Sequence, residues 1–205
     1  ADLHKVLIDA VIDRLGSGAV HLDHRCTSVE QDQAQVRVIF DNAEPKSGTV
    51  AIAADGFHSV VRGQFYPSEG EPQFGGINMW RGVTRQKPFL TGASVTRIGT
   101  VTHGKMVIYP IREFDDDTQL INWVTEQPRD DHKPNDWATP GRIEDFLEPF
   151  EDWRFGWLDI PDLIAEAEFI LEYPMVVREP IDRWTFGRAT LMGDAAHPMY
   201  PRGGN

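Results

Sequence analysis

Gly187-Arg188-Ala189-Thr190-Leu191-Met192-Gly193-Asp194-Ala195-Ala196-His197-Pro198-Met199-Tyr200-Pro201-Arg202-Gly203-Gly204-Asn205 is the stretch on which the fold turns. A short apolar run, Arg188–Met192, reads as a strand that delivers Gly193-Asp194 at its end. The two alanines that follow permit close packing, and two prolines stiffen the turn before a glycine pair. Gly203 and Gly204 would expose backbone N–H groups able to receive a polarised carbonyl or an anionic ring edge. A simple turn with a solvent-facing aspartate does not account for so specific a texture over nineteen residues.

A second segment, Ala53-Ala54-Asp55-Gly56-Phe57-His58-Ser59-Val60-Val61-Arg62, has the same logic. The strand-like run Thr49–Ala54 ends in small residues, Gly56 permits a turn that other residues resist, and Ser59 is placed to cap a helix. A carboxylate at such a junction accepts ribose or ribityl hydroxyls, and the helix start favours phosphate oxygens. Arg62, two turns on, suits a phosphate or a surface acid. Alone, an Asp-Gly pair is most often an ordinary strand–turn–helix junction.

Between and before these segments the pattern is mixed. Leu3, Val6, Leu7, Ala10, Val11 and Leu15 recur at helical spacing until Gly16 and Gly18. Val20 and Leu22 suggest a short strand, and the runs around Val29 and Val36–Phe40 flank a polar turn as a hairpin, followed by a loop over Asn42–Gly48. Ile77–Val83, Ser94–Ile98, Lys105–Ile111 and Gln119–Val124 read as an antiparallel sheet. A polar loop over Gln127–Gly141, helices at Arg142–Phe150 and Asp159–Ala167, and a strand at Phe169–Val177 complete an α+β order.

Composition narrows the function classes. The net charge of −12 argues against nucleic acid and against anionic membranes. No run reaches the roughly 18 apolar residues that span a bilayer. The N-terminal stretch has acids within an amphipathic pattern and does not read as a signal peptide. A single cysteine, Cys26, excludes a disulfide within the chain and suits a reducing, cytoplasmic setting. His21, His24 and Cys26 crowd one short stretch but lack the spacing of a metal site, and none is expected.

The two segments resemble the DG and GD motifs of the group A FAD-dependent aromatic-ring monooxygenases, the p-hydroxybenzoate and salicylate hydroxylase family. GADGxxSxVR appears as AADGFHSVVR, with Ala53 in place of the first glycine. GRxxLxGDAAHxxxPxGGxG appears as GRATLMGDAAHPMYPRGGN. The motifs stand in the family's order, about 138 residues apart (Asp55 to Gly193). Ala1-Asp2-Leu3-His4 is similar to a family helix start. Trp80-Arg81-Gly82, Tyr109-Pro110-Ile111 and Asn122-Trp123-Val124 look like substrate-domain strands of its salicylate-hydroxylase and phenazine-type branch.

The resemblance implies a p-hydroxybenzoate-hydroxylase-like α+β fold, incomplete here. Residues 1–73 and 176–205 would be α/β portions of the FAD domain, with an antiparallel-sheet substrate domain inserted at 74–175. FAD would be met by Asp55, Gly56, Arg62, Gly193, Asp194, Pro201, Gly203, Gly204 and the strand at Cys26. NAD(P)H would be met by His58 and Arg62. Trp80, Arg81, Tyr109 and Trp123 are candidates to line a pocket for an aromatic substrate, with core packing as the alternative for each. The chemistry would be the flavin's own, namely reduction by NAD(P)H, reaction with O2 and transfer of one oxygen atom to the ring. No catalytic base is named. His197 is expected to pack its turn.

The family's GxGxxG unit is not found in the sequence. An internal piece of a longer enzyme is therefore expected, with roughly 100 residues before Ala1 and others after Asn205. A piece lacking core elements should expose apolar surface and tend to self-associate. A stand-alone, non-redox small-molecule or partner-binding domain, and a halogenase or reductase on the same fold, are the other readings.

Overall fold

The small alternating runs around the two motifs become neighbouring strands, while the middle of the chain builds a sheet of its own. The computed structural model describes residues 2–130 and 139–200. The chain divides into two compact units, Ala1–Glu71 with Arg178–Asn205, and Pro72–Val177.

In the first unit, helix α1 (Asp2–Leu15) follows the apolar spacing and stops where Gly16 takes a φ of +86° and donates its N–H to Ile12 O at 2.8 Å. None of its residues is buried, and Leu3 and Leu15 are each 72% exposed. Val20 and Leu22 form no strand. A single 3₁₀ turn at Ser17–Ala19 precedes an irregular segment, because two alternating apolar residues offer too little to pair. The hairpin forms as β1 (Cys26–Gln31) and β2 (Val36–Phe40), with Val29 opposite Val38. Asp32 closes its turn by accepting from the backbone N–H of Ala34 at 2.7 Å and of Gln35 at 2.8 Å. The loop expected over Asn42–Gly48 contains a third strand, β3 (Lys46–Gly48), antiparallel to β2. Strand β4 (Ala51–Ala53) and helix α2 (Val60–Phe65) follow.

The second unit is a six-stranded antiparallel sheet. It comprises β5 (Gln73–Gln86), β6 (Thr96–Gly99), β7 (Lys105–Glu113), β8 (Gln119–Pro128), β9 (Thr139–Pro140) and, after the small hairpin β10 (Arg154–Phe155) and β11 (Leu158–Asp159) and helix α3 (Ile160–Ala165), β12 (Ala167–Val177). The spatial order is β6-β7-β8-β5-β12-β9. One face carries Trp80, Met106, Ile108, Ile121 and Trp123 against Phe146, Phe150 and the Ile160, Leu163 and Ile164 of α3. The helix expected over Arg142–Phe150 is two 3₁₀ turns instead, Ile143–Asp145 and Glu148–Phe150. Pro149 has no N–H and its ring collides with the carbonyl four residues back, so a continuous helix is broken. The i, i+4 spacing still delivers both phenylalanines, Phe146 at 1% and Phe150 at 0% exposure.

The chain then returns to the first unit through β13 (Thr185–Phe186) and β14 (Ala189–Leu191). Strand β14 lies antiparallel to β13 and parallel to β4. Val29, Val36, Val61, Ala189, Leu191 and Ala196 form that unit's core.

Candidate functional site

Strands β4 and β14 run side by side in the same direction, Ala51 beside Ala189 and Ala53 beside Leu191. The Met192 N–H donates to Ala53 O at 2.9 Å, which carries the pairing to the point where both strands end. One end opens into Asp55-Gly56 and the other into Gly193-Asp194. Gly56 (φ +79°) and Gly193 (φ +61°) both occupy the left-handed region that side chains resist. Two motifs far apart in sequence thus share one edge, the carboxyl ends of adjacent parallel strands, where open α/β sheets place their ligands.

The two aspartates have different surroundings. Asp55 is drawn into the start of α2. Its Oδ1 accepts from Ser59 Oγ at 2.6 Å, and its Oδ2 accepts from the N–H of Val60 at 2.9 Å and of Val61 at 3.4 Å. Ser59 Oγ in turn accepts from Arg62 N at 2.9 Å, the cap that its position in the sequence suggests. Asp194 lies in a 3₁₀ turn (Gly193–Ala195), is exposed, and among the described residues accepts no hydrogen bond. Its neighbours Ala195 and Ala196 are buried, so the turn sits tightly on the unit's core.

Arg62 pairs with an acid, the alternative that its position in the sequence left open. Expected to meet the pyrophosphate or the nicotinamide donor, it is 1% exposed and all its donors are engaged inside the protein. Its Nε donates to Glu69 at 2.9 and 3.1 Å, and its Nη2 to Glu69 Oε1 at 2.5 Å and Glu179 O at 3.0 Å. Its Nη1 donates to Ala195 O at 3.2 Å and Ala196 O at 3.0 Å. A guanidinium spent in this way holds α2 to the turn of the GD segment and has nothing left for a diphosphate. Sequence reading missed its partners: Glu69, which those hydrogen bonds hold below the ordinary carboxylate value of 4.5, and Arg178, 3.4 Å from Glu69.

His58 is exposed, its ring edge-on to Phe57 at 5.2 Å, and Phe57 lies beneath the Arg178 guanidinium at 5.4 Å. His197 is exposed and its ring is tilted against Trp184 at 5.1 Å. Cys26 and Asp55 line a common cavity of about 240 Å³ with Val29, Val38, Ala51 and Val61. Burial, chiefly, and then the Asp55 charge push the Cys26 thiol up. Pro201, Gly203 and Gly204 lie outside the described residues.

In the second unit the four aromatic-pocket candidates split between the faces of the sheet. Trp80 (1% exposed) and Trp123 (0%) are core residues, the core-packing alternative for both. Trp80 stacks on Phe146 at 5.2 Å, and Trp123 Nε1 donates to Thr84 Oγ1 at 3.0 Å. Strand alternation puts Arg81 and Tyr109 on the opposite face. There Arg81 Nε donates to Asn122 Oδ1 at 2.6 Å, Asn122 lies opposite Tyr109, and the Tyr173 phenol meets the guanidinium. The contact of Asn122 with Arg81, and any place for Tyr173, carried no signal in the sequence, because only the strand register brings them together.

A family model described as an FAD binding domain matches residues 1–205. The chain is 39% identical to phenazine 1,6-dicarboxylic acid hydroxylase PhzS of Lysobacter antibioticus, over 100% of this chain and 53% of that protein. It is 30% identical to 3-hydroxybenzoate 6-hydroxylase 2 of Aquipseudomonas alcaligenes, over 96% of this chain and 59% of that protein. The chain thus spans about half the length of the curated relatives it matches. In fold it is similar to a salicylate hydroxylase solved as a substrate complex (TM-score 0.69, 21% identity, 96% of this chain and 51% of that one). Klebsiella pneumoniae HpxO complexed with FAD and uric acid is equally similar (TM-score 0.69, 23% identity, 95% and 48%). The chain belongs to the FAD binding domain family, and its relatives include monooxygenases and hydroxylases of aromatic compounds.

Proposed function

We propose that the protein to which this chain belongs is an FAD-dependent monooxygenase that hydroxylates an aromatic or heteroaromatic substrate with NAD(P)H and O2. The observation that carries this reading is the pair of parallel strand ends, which present Asp55-Gly56 and Gly193-Asp194 side by side. FAD, when bound, supplies the electron transfer and the oxygen chemistry. The residues present fit part of it. Asp194 is an exposed carboxylate with free acceptor capacity for a sugar-alcohol hydroxyl, and Gly193 with the buried Ala195 and Ala196 lets a cofactor approach the backbone. Cys26 and Asp55 would border it at their shared cavity. His58 is exposed enough to meet the nicotinamide donor.

We assign residues 1–73 and 176–205 to the flavin-binding part and 74–175 to the substrate part. No helix among the described residues is long and apolar enough to cross a membrane. A cytoplasmic setting is our reading of the single cysteine. Self-association through the exposed apolar face of α1 is also proposed, and light scattering tests it.

The function is tested by titrating FAD into the chain and following its fluorescence. Binding that Asp194→Ala weakens by about tenfold or more supports the assignment. Binding indifferent to that substitution, or no binding up to about 1 mM FAD, counts against a flavin site in this chain.

A further inference from the structure

The chain leaves its first unit after Glu71 and returns to it at Arg178. On the first unit's side, the departing and returning segments are bonded to each other. The Tyr66 phenol donates to Arg183 O at 2.8 Å and accepts from Arg183 N at 3.2 Å. Arg62 Nη2 donates to Glu179 O at 3.0 Å, and Arg178 Nη1 donates to Gly70 O at 3.1 Å. Glu69 takes Arg62 on one side and Arg178 on the other. Little slack follows, since Gln73 already pairs with Val177 at the ends of β5 and β12.

The two arginines hold these segments with different strength. Arg62 is 1% exposed, and its contacts with Glu69 run from 2.5 to 3.1 Å. Arg178 stands 3.4 Å from Glu69, its side chain is 15% exposed, and its buried Nε has no hydrogen-bond partner. An unpaired buried donor is a cost, so Arg178 is the weaker hold of the two. It can let go while Arg62 keeps Glu69. Its guanidinium also lies over the Phe57 ring at 5.4 Å, in the turn that follows Asp55. A cation at that distance from a ring is attracted to it, the more so where water is partly excluded. One side chain thus touches the departing segment, the returning segment and the first motif.

We propose that Arg178 is a latch. It joins the departing and returning segments, ties both to the Asp55-Gly56-Phe57 turn, and its release is a local opening that precedes loss of the Arg62 clamp. Such openings begin where few and weak contacts hold a segment. Release frees the backbone around Glu69 and Gly70 together with the turn beside Phe57, although Gly70 and Arg178 are 108 residues apart. Because Arg178 follows Val177 directly, displacement of the end of β12 reaches the first motif through this one side chain. The latch is a property of the chain itself and does not rest on the flavin reading.

Native-state hydrogen exchange of the 205-residue chain without FAD, read amide by amide by NMR, tests this. The reporters are the amides of Tyr66 and Glu69, bonded to Arg62 O and Tyr66 O, and the amide of Ser59, bonded to Gly56 O. The amides of β2, the central strand of its sheet, are the reference. Arg178→Ala should speed exchange at all three reporters by about tenfold and leave β2 unchanged. Arg178→Lys keeps a charge beside Glu69 but not the planar fork, and should give a smaller rise at the same amides. Phe57→Leu should speed Ser59 alone. Unchanged exchange at Tyr66 and Glu69 in Arg178→Ala overturns the latch. So does an equal rise in β2, which is ordinary loss of stability. A Ser59 amide indifferent to both Arg178→Ala and Phe57→Leu overturns the link to the first motif. Should Arg178→Ala not fold, Arg178→Lys decides by the same criteria.

Discussion

Replacing Arg62 by alanine should unfold the first unit far more readily than a surface substitution would. The side chain is 1% exposed and donates to Glu69 and to the carbonyls of Glu179, Ala195 and Ala196. Alanine removes all of these bonds and leaves a carboxylate only 15% exposed without its main partner. Breaking a buried ion pair from one side costs about 3–5 kcal/mol. Glu69 keeps Arg178 at 3.4 Å, which places the expectation near the lower end, about 3 kcal/mol. Arg62→Lys should recover only part of this, because one ammonium cannot fork to a carboxylate and reach three carbonyls. Removing the stranded charge as well, in Arg62→Ala with Glu69→Ala, should restore about 1–2 kcal/mol relative to the single variant. Urea denaturation at neutral pH, followed by far-UV circular dichroism, measures each value. The loss should be nearly independent of salt, since a buried network is screened little. An Arg62→Ala chain within about 1 kcal/mol of the parent would refute the clamp and return Arg62 to the candidates for ligand binding.

Two further outcomes follow from single contacts. The hydrogen bonds from Arg62, with the charges of Arg62 and Arg178, hold Glu69 below its ordinary 4.5, so its stabilisation is present above that pH and is lost as pH falls through the lowered folded value. Acid titration of stability should show this loss in the parent and not in Glu69→Gln. Gly82→Ala would drive a Cβ into Cζ2 of the fully buried Trp123 and displace the indole from Thr84. Overpacking and the lost hydrogen bond together predict about 3 kcal/mol of destabilisation of the second unit by urea denaturation.

Much of the fold is legible because the pattern is local. The apolar spacing of α1, the hairpin around Asp32–Gln35, the Ser59 cap and the alternating strands of the large sheet each rest on neighbours within a few residues. What escapes reading is non-local. Strand β3 is a stretch of Lys46–Gly48 whose residues are all exposed, held by pairing with β2 and not by any hydrophobic signal of its own. Pro149 turns an expected helix into two short turns while keeping both phenylalanines inward. In the candidate site the motifs are readable as segments, but their parallel adjacency is not, because it joins residues about 138 positions apart. Nor does a strand sequence say which face holds the core: Trp80 and Arg81 are equally plausible ligand contacts until register and packing separate them.

That separation bears on how the two motifs divide their work. The carboxylate of Asp55 spends its acceptors on Ser59 and the first N–H groups of α2, and so fixes where that six-residue helix begins. A helix so short has little intrinsic stability and depends on its cap and its packing. Its fixed start determines where Arg62 emerges, and Arg62 in turn holds the carbonyls of Ala195 and Ala196, immediately after Asp194. The line of support runs from Asp55 through Ser59 and Arg62 to the turn that presents Asp194. Read this way, the first motif positions the second, and the pairing of a structural aspartate with an available one follows from geometry. The role we propose for Asp194, meeting a hydroxyl, needs a backbone fixed by groups that do not compete for the same ligand. The internal bonding of Arg62 meets that requirement, and a guanidinium reaching outward to a phosphate would have left the Gly193–Ala196 turn without its anchor.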